Sequence, residues 1–456
     1  MVLASIGFVI YKFDDLFLPY FWDELAGYVS GIFHMVDNGI SLLPSAVPPE
    51  LSYGHPLFMH ATMATCIKLF GDDVYILHGI TLLFTLLLAF GVYLLSMELV
   101  KNWQIAVFSF VIFLVQPIVL AQSTQVLLEV LLALLTVYAL VFYLRKNYML
   151  AAFFCTLAVL TKETGLVLAI AFVTHILAQI LIFKNKQYGI KQLLFLSIPI
   201  VIFVLFLVIQ KQTFGWYLNP TNVGKTKLNL SSMLQKTWDY SLEFTFVNQG
   251  RFMYSIVLIL SAVIWLIKDK LHNLKFEIFL RIIPIFLIGF TLFSSIADAL
   301  DRYFLLLIPF ITIAFAWSID FLKKVNRYLP FGLLVICVMG SFFFISNDTK
   351  YSDSDMGYKH MVRTNKMVFD YVNSGEFEGD TVNFAFPMKL APVDTRFGYY
   401  EKLKFIPDTS VLNNTEFRVY CMPGNLDWNK PDSHNFTLLK TFVSGYSKSA
   451  VYKRIE

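Results

Sequence analysis

The sequence predicts a mainly α-helical, polytopic membrane protein with a small α/β domain at its carboxyl end. Three observations predict this fold class: the composition, a series of apolar segments, and a change to polar and aromatic sequence near Asn347. The chain has 456 residues, of which 57% are hydrophobic and only 15% are charged, and its mean hydropathy is +0.64. Soluble domains usually carry about 25% charged residues, so this composition indicates a chain that lies largely in lipid.

Eleven apolar segments are predicted to be transmembrane helices, because lipid offers backbone groups no hydrogen-bonding partner outside the helix. They cover residues 2–13, 74–97, 103–121, 125–144, 148–161, 164–183, 192–210, 252–267, 276–296, 303–321 and 329–346. The first is shorter than the ~20 residues of a membrane span. It therefore either continues toward Tyr20 or begins upstream of the printed sequence, and it lacks the features of a cleavable signal peptide.

Basic residues gather in alternate short loops between these segments. They are Lys101, Arg145, Lys146, Lys184, Lys186, Lys191, Lys268, Lys270, Lys275, Lys323, Lys324 and Arg327. This bias predicts that these loops and the N-terminus are cytoplasmic. The opposite face then holds the loop 14–73, the turns near 122–124 and 162–163, the loop 211–251, the turn 297–302 and the tail. Acidic residues gather there: Asp14, Asp15, Asp23, Glu24, Asp37, Asp72, Asp73, Glu163, Asp298 and Asp301.

Two domains are predicted, a transmembrane catalytic domain over 1–346 and an extracytoplasmic α/β domain over 347–456. The outer loop 14–73 contains two amphipathic helical patterns, "ELAGYVSGIFHMVDNG" and "HPLFMHATMATCIKLFG", which end at Gly39 and Gly71. The tail contains a helical pattern, "YKHMVRTNKMVFDYVNSG". It also has strand-like runs, "DTVNFAF" and "FRVYCM", and closes on a predicted hairpin, "TFVSGYSKSAVYKRI".

Adjacent acids in "LPYFWDELAGY", Asp23 and Glu24, are the first candidates for chemistry. A carboxylate held by packed aromatic side chains can act as a general base toward a hydroxyl group. The same pair also suits the first turn of a helix, where the helix dipole favours acids. The sequence leaves both interpretations open.

Three basic side chains near the outer surface are candidates to bind an anion. His55 precedes a proline, and otherwise suits a helix-capping role in an interfacial turn. Lys162, in "LAVLTKETGL", either binds an anion or pairs internally with Glu163. Arg302 precedes Tyr303 at the outer end of a span, and is either an interfacial anchor or a guanidinium clamp on phosphate.

A further acid, Glu129, lies one turn into the fourth apolar segment, and an ionisable group at that depth must pair or face a cavity. The polar run 122–125 before it is predicted to line the mouth of that cavity. Glu129, Glu163 and Tyr303 are therefore assigned to a substrate cavity.

Several classes of protein lack support in the sequence. No Walker A motif, Rossmann fingerprint or HExxH motif is present, which argues against a nucleotide-driven motor and a zinc protease. The four cysteines match no metal-binding spacing. We expect no metal site and no nucleic-acid partner.

The order of these motifs resembles the GT-C superfamily of membrane glycosyltransferases. The likeness is to the branch that holds the protein O-mannosyltransferases and the lipid A aminoarabinose transferase. "YFWDELAGYVSGI" resembles the acid motif of the first outer loop, and "SYGHPLFMHATMATCIKLFGDD" resembles the "HPPL…LFG" segment after it. "LAVLTKETGL" resembles the "LTK" turn, and "DRYFLLLIPF" resembles the "RY…P" start of a late span. The single proline after His55 and the missing "GK" point away from a protein mannosyltransferase proper.

The resemblance implies transfer of a hexose or pentose from a polyprenyl-phosphate donor to a lipid, glycan or protein hydroxyl on the outer face. Asp23 would be the base, and Glu24 would orient that base or hold the acceptor. Lys162, Arg302 and His55 would bind the donor phosphate, with inversion at the anomeric carbon. Lysine and arginine can stabilise the leaving phosphate, so no cofactor is required, although the acid pair leaves room for a divalent metal.

Two other functions remain open at this stage. A transporter or flippase for lipid-linked sugars would show broken spans, two related halves and charges at mid-membrane. No internal repeat is evident, and the charges gather at the outer interface. A non-catalytic scaffold is the other alternative. The Lys- and Asn-rich loops favour a bacterial inner membrane.

Overall fold

The computed structural model describes most of the chain. The described residues are 1–224, 226, 229–268, 274–296, 300–323, 328–347, 353–409, 415–422, 435–445 and 447–455. Four charges that were used above to assign the two faces lie outside these ranges: Lys270, Asp298, Lys324 and Arg327.

Helices dominate the fold, as the sequence predicts. The α-helices are, in chain order, α1 Val2–Lys12, α2 Val29–Asn38, α3 Pro49–Ser52, α4 Phe58–Phe70, α5 Val74–Val100, α6 Trp103–Leu114, α7 Pro117–Gln122, α8 Leu128–Leu144, α9 Tyr148–Thr161, α10 Leu166–Leu181 and α11 Ile190–Phe214. They continue with α12 Pro220–Gly224, α13 Leu230–Lys236, α14 Phe244–Phe246, α15 Arg251–Lys268, α16 Leu274–Ile296, α17 Ile308–Lys323, α18 Leu329–Asn347 and α19 Tyr358–Val372.

Two of the predicted spans differ from the observed helices. The segment 103–121 is two helices, because α6 ends at Leu114 and a new helix begins at Pro117. Proline lacks a backbone N–H and is favoured in the first turn of a helix, where that N–H would have no partner within the helix. The segment 303–321 enters through a 3₁₀ turn, Asp301–Leu307, before α17 begins at Ile308.

Within the described ranges, four helical segments are long and apolar enough to cross a membrane. They are Val74–Val100, Glu163–Leu181, Ile190–Phe214 and Asp301–Lys323. Shorter apolar helices, including Leu128–Leu144 and Tyr148–Thr161, pack among them. Helix α8 lies at the centre of this bundle, between α5 and α9, and nearly all of its side chains are buried.

Both predicted helices of the first outer loop are present as α2 and α4. Each ends at a glycine in the left-handed half of backbone space, Gly39 at φ 118° and Gly71 at φ 101°. The two helices pack against each other.

The tail forms the expected α/β unit. A five-stranded sheet has the order β2-β1-β3-β5-β4, with strands β1 Thr381–Phe384, β2 Ile406–Asp408, β3 Phe417–Met422, β4 Phe436–Ser444 and β5 Ser447–Arg454. Strand β1 is parallel to β2 and β3, whereas β5 is antiparallel to β3 and β4, so the closing hairpin is confirmed. Helix α19 covers this sheet. The domain boundary at 346/347 falls at the end of α18 and stays a prediction.

The α/β unit docks on Tyr20 of the loop 14–73 through two hydrogen bonds. The N–H of Tyr20 donates to the carbonyl of Phe397 at 3.2 Å, and the hydroxyl of Tyr399 donates to the carbonyl of Tyr20 at 2.9 Å. The docking surface therefore lies three residues before Asp23.

Candidate active site

A buried arginine, Arg302, lies at the centre of a network of charges. Its Nη2 donates to Oδ2 of Asp23 at 2.5 Å, and its Nη1 donates to the carboxylate of Asp353. Its Nε lies 3.6 Å from Oε1 of Glu129. Three carboxylates from distant parts of the sequence therefore converge on one guanidinium group, which is 1% exposed.

Glu129 joins this arginine to Lys162. The Nζ of Lys162 donates to Oε1 of Glu129 at 2.8 Å, and both side chains are 2% exposed. The same Nζ lies 3.4 Å from the ring centroid of Tyr303, so a cation–π contact closes the network. Among the described residues, Oε2 of Glu129 has no hydrogen-bond partner.

A tight turn places Lys162 in this position. Helix α9 ends at Thr161, Lys162 is extended, and the 3₁₀ turn Glu163–Gly165 leads directly into α10. A Cβ atom at Gly165 would lie 2.7 Å from the carbonyl group of Ala158, so this hairpin needs glycine there. Helices α9 and α10 therefore form a tight hairpin with Lys162 at its turn.

His55 and Glu163 form a second pair beside the network. The Nδ1 of His55 lies 2.7 Å from Oε2 of Glu163. The imidazole ring stacks on Tyr28 with a centroid distance of 6.3 Å. Because Lys162 and Glu163 are consecutive, this pair adjoins the network, and Glu163 pairs with His55 rather than with the neighbouring lysine.

Asp23 is the most accessible of the three acids on Arg302, with its side chain 20% exposed. It follows Trp22, whose φ of 51° is unusual for a residue with a side chain. It precedes a π-helical turn, Glu24–Tyr28. Irregular backbone of both kinds is frequent at functional sites. Asp23 occupies the N-cap position of this turn and makes no side-chain capping hydrogen bond, so both interpretations of the acid pair stay open.

Glu24 makes different contacts from its neighbour. Its Oε1 accepts a hydrogen bond from the N–H of Val126 at 2.6 Å, and its Oε2 accepts one from the N–H of Phe21 at 3.3 Å. The Nε2 of His78 lies 3.5 Å from Oε1. This buried carboxylate therefore ties the first outer loop to the segment before α8, and its role toward the acceptor stays a prediction.

Asp353 is the residue of this network that sequence reasoning missed. It lies in "SDSDMGY", a polar stretch with no periodicity and no motif, and it is 9% exposed. Its backbone carbonyl accepts a hydrogen bond from Nε2 of Gln122. The polar run 122–125, predicted to line an open mouth, is buried beneath this segment.

Within the described ranges, no group of three or more His, Cys, Asp or Glu side chains is arranged to hold a metal ion. The acids of the network are instead paired with Arg302 and Lys162. The expectation that the reaction requires no metal stays a prediction.

Comparisons with known proteins identify the architecture. No family model and no curated protein sequence matches the chain. Among solved structures, ArnT (lipid A aminoarabinose transferase) from Cupriavidus metallidurans bound to undecaprenyl phosphate matches at 13% identity and a TM-score of 0.62. The match covers 99% of this chain and 97% of that one. The apo form of the same protein matches at 14% identity and a TM-score of 0.55, with the same coverage.

A second solved protein has the same architecture. The archaeal oligosaccharyltransferase AglB from Archaeoglobus fulgidus, in complex with an inhibitory peptide and a dolichol-phosphate, matches at 12% identity and a TM-score of 0.50. The match covers 89% of this chain and 64% of the AglB chain. Both are GT-C membrane glycosyltransferases. The predicted resemblance is confirmed at the level of fold, and the chain is an integral membrane protein with the GT-C fold.

Proposed function

We propose that this protein is a glycosyltransferase that moves a sugar from a polyprenyl-phosphate donor to an acceptor hydroxyl group. The observation that carries the proposal is the shared network of Asp23, Arg302, Glu129 and Lys162. In this network the partly exposed carboxylate of Asp23 contacts the buried Arg302, and Glu129 links Arg302 to the buried Lys162. Transfer to a hydroxyl group needs a base on the acceptor side and positive charge on the leaving-group side.

The proposed reaction is a single displacement. Asp23 accepts the proton of the acceptor hydroxyl as its oxygen attacks the anomeric carbon of the sugar. The bond between that carbon and the phosphate oxygen breaks, and the electron pair leaves with the polyprenyl phosphate. Attack opposite the leaving group inverts the anomeric centre.

Arg302 and Lys162 would stabilise the negative charge that develops on the leaving phosphate. Arg302 presents a fork of donors suited to phosphate oxygens, and burial strengthens such contacts because water does not screen them. His55 lies beside them through Glu163 and would supply a further donor. As Arg302 engages the phosphate, Oδ2 of Asp23 is released to accept the hydroxyl proton.

Solved relatives in fold support the class of donor. ArnT was crystallised with undecaprenyl phosphate, and AglB was solved with dolichol-phosphate and a peptide. A polyprenyl monophosphate is therefore the donor carrier that we propose, with a lipid, glycan or protein as acceptor. The distribution of basic loops supports a cytoplasmic N-terminus and an outward-facing site, and we propose the bacterial inner membrane as the location.

Mass spectrometry of envelope lipids, glycans and proteins tests this function. Cells that lack the gene are complemented with the wild type, Asp23→Asn or Asp14→Asn. Asp14 is a matched control, because it is an exposed acid of the same loop. We expect a pentose or hexose mass increment that the wild type and Asp14→Asn restore. Loss of a general base costs roughly 10²–10⁴-fold in rate, so Asp23→Asn should not restore it at equal abundance in the membrane.

Two outcomes would contradict the proposal at different points. If Asp23→Asn restored the modification, Asp23 would not be the general base. Identical masses of the envelope lipids, glycans and proteins in the presence and absence of the gene would contradict glycosyl transfer itself.

A further inference from the structure

Residues 353–357, which lead into α19, lie against the candidate site, and several contacts hold them there. The carboxylate of Asp353 pairs with Arg302, and its carbonyl accepts from Gln122. The carbonyl of the next residue, Ser354, accepts a hydrogen bond from Nε2 of Gln249 at 2.9 Å. Residues 353–358 are all buried.

Tyr358 anchors the far end of this segment to the first outer loop. Its hydroxyl donates to Oδ2 of Asp15 at 3.0 Å and accepts from Nζ of Lys12 at 3.2 Å. Its ring stacks on Phe21 with a centroid distance of 5.4 Å. Asp353 is therefore tethered five residues from a fixed point, which keeps its effective concentration at Arg302 high.

The charges of the network show what Asp353 does to an incoming phosphate. Asp23, Glu129 and Asp353 set three carboxylates against the two cations Arg302 and Lys162. In this state the network carries an excess negative charge, and one edge of the guanidinium group is occupied. Withdrawal of Asp353 leaves two carboxylates against two cations and exposes Nη1 of Arg302 to a new anion.

We propose that Asp353 is a tethered anion that occupies Arg302 in the absence of donor and is displaced by the donor phosphate. The segment 353–358 then gates the site, because the phosphate and the Asp353 carboxylate compete for one guanidinium group. This inference rests on the proposed function, since it assigns a lipid monophosphate to Arg302.

Binding of undecaprenyl phosphate to the full chain in nanodiscs tests the competition without requiring turnover. Asp353→Asn removes the competing charge, and Asp353→Glu keeps it. We expect Asp353→Asn to bind the lipid about tenfold more tightly than the wild type, which corresponds to about 1.4 kcal/mol, and Asp353→Glu to resemble the wild type. Unchanged or weaker binding by Asp353→Asn would overturn the gate. It would indicate that Asp353 holds Arg302 in position for the lipid rather than competing with it.

Hydrogen–deuterium exchange distinguishes displacement from a general effect of charge. Addition of undecaprenyl phosphate to the wild type should speed exchange in 353–358, where Asp355 accepts a hydrogen bond from the N–H of Gly357 at 2.8 Å. Exchange in the later turns of α19 should not change. Slower or unchanged exchange in 353–358 overturns the gate. Binding to the wild type without an effect of Asp353→Asn rejects the gate alone, whereas no binding to any variant rejects the donor class as well.

Discussion

Charged residues lie at both ends of helices α8 and α9, in opposite environments. Glu129 and Lys162 are both 2% exposed and pair at 2.8 Å. At the other ends of the same helices, about 25 Å away for the 17-residue α8, basic side chains line an open cleft of about 580 Å³. Arg145 there pairs with Glu98 at 2.7 Å, but its side chain is 40% exposed.

The contrast teaches that burial, rather than the number of charges, distinguishes the two ends of this bundle. Removing a charge from water costs several kcal/mol, and such a residue persists only where it is paired or used. Exposed lysines and arginines cost little free energy, because water still solvates their charge, so their presence at that end requires no ligand. The proposed function therefore uses the network around Arg302, and it gives no role to the cleft around Arg145.

The largest expected effect is the difference in folding stability between Arg302→Gln and Arg145→Gln, which remove one cation from each end of α8. Arg302→Gln would leave Asp23, Glu129 and Asp353 close together and without their shared cation, which costs about 3–5 kcal/mol for a buried pair. Arg145→Gln loses an exposed pair, worth about 0–1 kcal/mol. Chemical unfolding of both purified variants in the same mixed micelles measures the difference.

Equal destabilisation by the two substitutions would break the comparison between the ends. Arg302→Lys serves as the control for charge, because it keeps the cation but loses the fork of donors. It should recover part of the stability that Arg302→Gln loses.

The helices could be predicted well from the sequence, because an apolar segment in lipid must form its backbone hydrogen bonds internally. Apolar runs in lipid must be helical, so observed and predicted segments agree except where Pro117 starts a new helix and where α17 begins through a 3₁₀ turn. The residues Asp23, Lys162 and Arg302 were identified from motifs and from the cost of charge at membrane depth. Their mutual distances were beyond reach, since these depend on how the helices pack.

Glu24 and Asp353 show why the remaining contacts could not be predicted. Glu24 accepts from a backbone N–H 102 residues away, and no side-chain pattern records a backbone partner. Asp353 lies in a polar stretch where an acid is unremarkable by composition, and only the docking of the α/β unit brings it to Arg302. Long-range contacts made by single residues carry no periodic signal.

A buried histidine, His60, is expected to make the folding stability depend on pH. His60, in α4, is fully buried, and neither ring nitrogen has a hydrogen-bond partner within the described part of the chain. Burial, together with the nearby His55, lowers the pKa of His60 to about 3. Below pH 6.5 the unfolded chain takes up a proton that the folded chain refuses, so folding stability falls as the pH falls.

The expected loss attributable to His60 is about 2 kcal/mol between pH 7 and pH 5. His60→Leu fills a similar volume and cannot titrate, so it should remove this part of the pH dependence. Unfolding curves for the wild type and His60→Leu, measured at both values, give the difference. Parallel loss of stability in the two proteins would show that His60 takes up its proton in the folded state.

The smallest expected effect concerns an exposed ion pair that joins the α/β unit to the first outer loop. Arg396 donates to both carboxylate oxygens of Asp37, at 3.1 and 2.9 Å, and its guanidinium lies 4.3 Å from the ring centroid of Phe33. These hydrogen bonds lower the pKa of Asp37, so the stabilisation is present above the unfolded value of about 3.9. This stabilisation is lost as the pH falls through the pKa of Asp37 in the folded protein.

Because the Asp37 side chain is 53% exposed, Asp37→Asn should cost less than about 1 kcal/mol of folding stability at neutral pH. The difference from the wild type should shrink at high salt and vanish in acid, as measured by chemical unfolding. A cost as large as that of Arg302→Gln would contradict the rule that burial sets the energetic value of a charge in this protein.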